Sequence, residues 1–150
     1  MAKSFTSMHI HFVFSTKYRE NTISDLMKER LYAYLGGIAK QNKMIPLAIG
    51  GTSNHMHLLI SMPPVISPSK GIQLLKTNSS KWINEEFRGR SRFTWQAGYS
   101  GFSVSPRHIQ NVKNYIKRQE EHHTRRTFEQ EYLDFLKDSG IEFDENHLWD

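Results

Sequence analysis

The sequence predicts an α+β, ferredoxin-like fold: a four-stranded antiparallel sheet of split β-α-β order, with two helices on one face and a third on the other. Two observations carry that prediction. Apolar side chains alternate along residues 7–15 and again from His55 to Ser61, whereas the segments that follow each of them switch to helical spacing. Read end to end, the switches give the order β-α-β-β-α-β, followed by a surplus amphipathic helix opened by Ser105-Pro106.

The first strand points Met8, Ile10, Phe12 and Phe14 one way and Ser7, His9, His11, Val13 and Ser15 the other. Lys17-Tyr18-Arg19-Glu20-Asn21 is a polar loop. Ser24 supplies an N-cap for a helix over 25–42, with Leu26, Met27, Arg30, Leu31, Tyr34, Leu35 and Ile38 at helical spacing and Gly36-Gly37 as a local weakness. A second strand over 44–50 contains Pro46, which removes a ladder donor and so suits a sheet edge. Residues 50–54 turn the chain into a third strand as a hairpin. Beyond Pro63, Pro64 and Pro68, a helix over 69–87 carries Ile72, Leu75, Ser79, Trp82, Ile83 and Phe87 on one side. Residues 88–92 form a basic loop, and 95–104 a bent, aromatic, glycine-interrupted strand. The third helix spans 106–123. Ile109, Val112 and Ile116 form its docking stripe, and His108, Asn111, Tyr115, Arg118, Gln119 and His122 the polar stripe beside it. A last helix over 126–138 stops at Gly140, and the tail beyond it is expected to be partly ordered.

In this topology the first and third strands are central neighbours. His9, His11, His55 and His57 therefore gather on the face that the first two helices leave open, where the third helix is free to dock.

Composition narrows the function. A chain of 150 residues with 37% hydrophobic content suits one domain. Cysteine is absent, which excludes a disulfide framework, a thiol nucleophile and cysteine-based metal sites. No apolar run reaches the length of a membrane span and no signal peptide is evident, so the expected location is the cytoplasm. Charge is unevenly spread. Up to Arg126, 19 basic residues face 7 acidic ones; from Thr127 on, Lys137 stands alone against eight carboxylates. The expected division is a basic functional domain, 1–126, and an acidic helix and tail, 127–150. A basic body favours a polyanionic partner through counterion release, and the acidic end is expected either to be a solvated, partly helical segment or to compete for the same surface.

His55-Met56-His57 sets two imidazoles on one face of a strand, where they can share a metal ion, while Met56 points into the core. His9-Ile10-His11 has the same spacing, and nothing in the sequence singles out either pair. Tyr115 and Gln119 lie one helical turn apart. A phenol is a possible nucleophile, although its pKa near 10 demands activation or a polarised electrophile. An amide oxygen can join a cation. Taken singly, each is an ordinary residue of an amphipathic helix.

Taken together, these residues resemble the single-tyrosine HUH transposases of the smallest bacterial insertion sequences. The resemblance covers about residues 8–122. It rests on His11-Phe12-Val13-Phe14-Ser15-Thr16-Lys17-Tyr18-Arg19, Asn54-His55-Met56-His57-Leu58-Leu59, Ser79-Ser80-Lys81-Trp82-Ile83-Asn84, the aromatic run 95–104 and Tyr115-Ile116-Lys117-Arg118-Gln119. The resemblance implies that His55, His57 and Gln119 hold a divalent metal, Mg²⁺ or Mn²⁺, although the donors alone would also admit Zn²⁺ or Ni²⁺. It implies that Tyr115 attacks single-stranded DNA at element ends and forms a 5′-phosphotyrosine, with no nucleotide cofactor. It further implies hairpin DNA as substrate, a homodimer, and association with the nucleoid during action. On that reading Lys17, Arg19, Lys76, Arg88, Arg90, Arg92, Arg107, Lys113, Lys117 and Arg118 are candidates for phosphate contact, and Tyr18, Trp95, Tyr99 and Phe102 for base stacking. Trp82, Phe12 and Phe14 are expected in the core, and Trp95 suits either role. The rival readings are a non-catalytic or domesticated hairpin-DNA-binding protein on the same fold, and a histidine-based metal protein unrelated to DNA.

Overall fold

In the computed structural model, which describes residues 3–87, 91–119 and 126–150, the alternating segments become β1 (His9–Ser15), β2 (Ile45–Gly51), β3 (His55–Ser61) and β4 (Ser100–Ser103). They form one antiparallel sheet in the order β2-β3-β1-β4, so β1 and β3 are the central pair and Pro46 sits on an edge strand. The helices are α1 (Asp25–Gln41), α2 (Pro68–Glu86), α3 (Ile109–Lys117) and α4 (Phe128–Asp138). Ser24 and Ser67 cap α1 and α2 by accepting from Met27 N and Lys70 N, and Thr127 closes a capping box with Gln130. No helix among the described residues is long and apolar enough to cross a membrane.

One sheet face is the main core. Phe12, Phe14, Met56, Leu58 and Ile60 pack against Met27, Leu31 and Leu35 of α1 and Ile72, Leu75 and Ile83 of α2. Each such buried side chain contributes about 2 kcal/mol to folding. Met8, expected to share this face, lies before β1 and is 39% exposed.

The other face carries two smaller clusters. Ala48 and Leu59 meet Ile116, with Ile109 and Val112, of the α3 segment. Val13 and Phe102 meet Phe128, Tyr132 and Leu136 of α4. Helix α3 approaches β2 so closely that a Cβ on Gly50 would stand 2.6 Å from the Ile116 carbonyl oxygen and 2.9 Å from its Cγ2. Backbone cannot yield as a flexible side chain can. Gly50→Ala is therefore expected to lift α3 from the sheet and cost about 1–3 kcal/mol, read as a lower denaturation midpoint.

Three boundaries differ from the sequence expectation. The fourth strand is only four residues long, because the chain before it is tied by other means: Gln96 N donates to the Ser15 carbonyl at 2.9 Å, and its side-chain Oε1 accepts from Ser15 N at 2.7 Å. Trp95 joins the sheet only as an isolated bridge to Thr16. The third helix opens as a 3-10 turn, Pro106–His108, and leaves helical geometry at Arg118 (φ −105°, ψ 24°). Arg88, Arg90 and His122 lie outside the described residues. The acidic tail forms a 3-10 turn at Glu145–His147 and folds back, with the Asp150 carbonyl accepting from Gly98 N at 2.8 Å.

Candidate active site

The register that pairs Val13 with His57 and Ser15 with His55 puts both imidazoles on the α3 face, at the end of the central strand pair nearest the β2–β3 turn. Both are buried. That turn orients His55. Its Nδ1 lies 2.8 Å from Asn54 Oδ1 and 2.9 Å from Thr52 Oγ1. The carboxamide oxygen only accepts, so Nδ1 carries the proton and Nε2 is left to meet an incoming ligand. His57 is held from the neighbouring strand, its Nδ1 2.8 Å from Nε2 of His11. Burial lowers the His11 pKa to about 4, so this imidazole is neutral at physiological pH. His9 stands further along, opposite Ser61, and no ring contact among the described residues ties it to the other imidazoles. Of the first pair, His11 is thus in contact with His57, and His9 stands apart from it along the strand.

The docking of α3 brings the phenol and the amide to these imidazoles within one chain. The Tyr115 ring lies edge-on to His57, with centroids 5.5 Å apart. Gln119 is beyond the helix end, yet its Oε1 comes within 3.2 Å of His55 Nε2 while its Nε2 donates to the Tyr115 carbonyl at 3.3 Å. Two acceptors facing one another become favourable when a cation or a proton stands between them. Donors about 2.1 Å from one metal ion are roughly 3.0 Å apart in octahedral and 3.4 Å in tetrahedral geometry, and the observed separation falls between. The residues therefore fit a divalent ion. No group of three or more His, Cys, Asp or Glu able to hold a metal is found among the described residues. Burial raises the Tyr115 pKa, and the Gln119 amide opposes that shift.

Helix α4 lies over this constellation, which the sequence reading did not anticipate. Phe128 stacks on His55 at 3.8 Å and 9°, and Phe135 meets His11, His57 and Tyr115 with centroids 5.3, 6.4 and 5.6 Å away. Buried Glu131 lies close enough to the Tyr115 phenol to raise its pKa further. An opening of about 180 Å³ at the phenol is lined by Arg126, Glu131, Asp134, Phe135 and Asp138.

The candidate phosphate contacts are differently disposed. Lys117 and Arg118 are exposed and line a cleft of about 450 Å³ beside Gln119, together with Lys28 and Tyr32. Lys17, Arg92 and Arg107 are exposed and Lys113 half-buried. Arg19 is engaged by the C-terminal segment: its Nε is 3.1 Å from Glu129, and its guanidinium lies 4.3 Å over Trp149. Tyr18 and Arg19 both adopt positive φ (57° and 56°), which presents Tyr18 to solvent at a backbone cost of about 1–2 kcal/mol per residue.

Lys76 is turned inward, and its Nζ donates to the carbonyls of Gln96, Ala97 and Gly98 at 2.7, 3.2 and 2.7 Å. Burial brings its pKa down to about 8. Lys76→Met is expected to lower stability by about 2 kcal/mol through these lost bonds, measured by thermal melting, with little change in DNA affinity. Trp95 and Phe102 are packed inside rather than offered to bases, and Trp95 Nε1 donates to Ser79 Oγ at 3.0 Å. Tyr99 is partly exposed beside Phe12. Phe12 and Phe14 are in the core as expected; Trp82 is half-buried and stacks on Tyr34.

Comparison with known proteins gives the family and the fold. The family model described as "Transposase IS200 like" matches residues 4–119. The transposases for insertion sequence element IS200 of Salmonella typhimurium and Salmonella typhi are each 28% identical over 114 residues, covering 73% of this chain and 74% of theirs. A crystal structure of a candidate transposase from Deinococcus radiodurans shares the fold with a TM-score of 0.63 and 22% identity, over 79% of this chain and 96% of that one. A REP-associated tyrosine transposase bound to a REP hairpin shares it with a TM-score of 0.61 and 13% identity, over 82% and 73%.

Proposed function

The chain belongs to the family of IS200-like transposases, and on that premise we propose that it cuts and rejoins single-stranded DNA through Tyr115, with His55, His57 and Gln119 as the residues that hold a divalent ion. The observation that carries the reading is the convergence of phenol, amide and paired imidazoles on one point, with Gln119 Oε1 3.2 Å from His55 Nε2.

In the proposed reaction the Tyr115 oxygen attacks the phosphorus of a phosphodiester. The bond to the 3′ oxygen breaks, a 5′-phosphotyrosine forms, and the departing oxygen takes up a proton as a free 3′-OH. A 3′-OH then attacks the phosphotyrosine, the phosphorus–phenol bond breaks, and the phenol regains its proton. One ester replaces another at each step, so no nucleotide cofactor is consumed. The bound ion, Mg²⁺ or Mn²⁺, would draw charge from the phosphoryl oxygen and orient the phosphate. Gln119 has a second part to play, because its amide beside the phenol favours the oxyanion against the effect of burial. The partner we propose is hairpin DNA, the class of ligand on the REP-associated neighbour, with exposed Lys17, Arg107, Lys117 and Arg118 on its phosphates. A homodimer would bring two such sites to one pair of element ends.

The test is incubation with hairpin DNA bearing single-stranded flanks and Mg²⁺ or Mn²⁺, followed by mass spectrometry. A nucleotide linked to Tyr115 is the expected product. One observation favours a second reading, a hairpin-binding or domesticated protein without cleavage: α4 covers the approach to the phenol. Tight hairpin binding with no adduct under any divalent ion would select that reading.

A further inference from the structure

We propose that His11 is a positioning residue for the metal site: it accepts the Nδ1–H of His57 and so fixes the tautomer in which His57 Nε2 keeps its lone pair for the ion. This rests on the metal-binding reading above and adds to it a residue outside the ligand set.

The contact is short and shielded. His11 Nε2 and His57 Nδ1 are 2.8 Å apart, with ring centroids at 5.0 Å. The two residues are 2% and 1% exposed, so water does not stand in for either partner. A hydrogen bond between two neutral imidazoles can run either way, and the two directions have opposite consequences. If His11 donates, the His57 proton resides on Nε2, and that nitrogen cannot bind a cation. If His57 donates, Nε2 is bare. Only the second direction leaves a ligand.

The neighbouring imidazole shows the same solution built from different parts. His55 lies next to the β2–β3 turn, and the turn supplies the oxygens of Asn54 and Thr52 to its Nδ1. His57 lies two residues further into β3, opposite Val13, where the flanking backbone is already committed to the sheet. An acceptor at that depth must come from a side chain on an adjacent strand, and His11 is two residues from Val13 on the same face. Phe102 and Phe135 pack against the His11 ring, with centroids 6.1 and 5.3 Å away, and limit its rotation. The His9-Ile10-His11 motif is thus one member of a ligand's support, not a second metal pair.

The deciding measurement is the tautomer of His57 in the full-length, metal-free protein, read from long-range ¹H–¹⁵N correlations of its ring. Protonated Nδ1 with a bare Nε2 is expected; protonated Nε2 overturns the proposal without any variant having to fold. Mn²⁺ titration then reads the consequence. His11→Phe, which keeps a ring but offers no acceptor, is expected to weaken Mn²⁺ binding about 10- to 100-fold. His11→Gln, whose Oε1 can accept the same proton, is expected to restore most of the loss. Unchanged affinity in His11→Phe, or a loss that His11→Gln does not repair, overturns the positioning role and leaves the metal site standing. A wild-type protein that binds neither Mn²⁺ nor Mg²⁺ overturns both.

Discussion

Tyr115→Phe is expected to lower DNA cleavage by about 10⁴-fold or more and to abolish the covalent adduct. The substitution removes one oxygen. The ring keeps its edge contacts with His57 and Phe135, whose centroids are 5.5 and 5.6 Å away, so α3 stays seated. What is lost is the phenol oxygen, the proposed nucleophile. The cost to stability is modest, because the main core lies on the other sheet face. Hairpin affinity should therefore persist while chemistry stops. Gel analysis of cleavage and mass spectrometry of the protein separate the two. An adduct that still forms in Tyr115→Phe would move the nucleophile to another residue and overturn the assignment.

The sheet order, both crossover helices and the edge position of Pro46 were readable because each depends on local periodicity and a short connection. The choice between His9/His11 and His55/His57 was not. Both pairs have a strand period of two, and what separates them is the arrival of Gln119 at His55, a consequence of α3 seating on Gly50. The reach of Gln119 was anticipated from an uninterrupted helix. The chain in fact leaves the helix at Arg118, and the amide arrives all the same. Trp95 and Phe102 read as base-stacking residues because glycines and polar residues surround them in sequence, whereas their burial is set by partners far along the chain, Ser79 and α4. Lys76 counted as one more positive charge, and no local pattern marks an ammonium whose acceptors lie twenty residues downstream. Charge marked the acidic end as a segment apart from the basic body, and the structure pairs its Glu129 with Arg19. The seat of α4 over the imidazoles depends on which face β1 and β3 leave open, and that is a tertiary fact.

Loosening α4 is expected to accelerate cleavage. In the observed arrangement α4 narrows the route of a phosphate to the phenol. Phe128 covers one face of His55, Phe135 stands beside Tyr115, and Glu131, Asp134 and Asp138 line the remaining opening. A phosphodiester placed about 5 Å from one such carboxylate is opposed by about 3 kcal/mol at an effective dielectric constant near 20, less what Arg126, paired with Asp134 in the same lining, offsets. DNA must therefore displace α4, and the observed rate scales with the fraction of molecules in which it has moved. Phe128→Ala with Phe135→Ala removes the two rings that anchor the closed form. A loss of about 3 kcal/mol from that form raises a minor open population by roughly 100-fold. Single-turnover cleavage and hairpin affinity, measured at one fixed ionic strength, should both rise, by about 10- to 100-fold, even as the melting temperature falls. The opposite result is equally informative, because Phe128 also steadies the His55 ring. If α4 served to build the ligand site, the double variant would lose Mn²⁺ affinity and cleavage together. A gain in rate with Mn²⁺ affinity unchanged is the outcome that makes α4 a competitor of DNA, since only a covering element can be removed without cost to the residues beneath it.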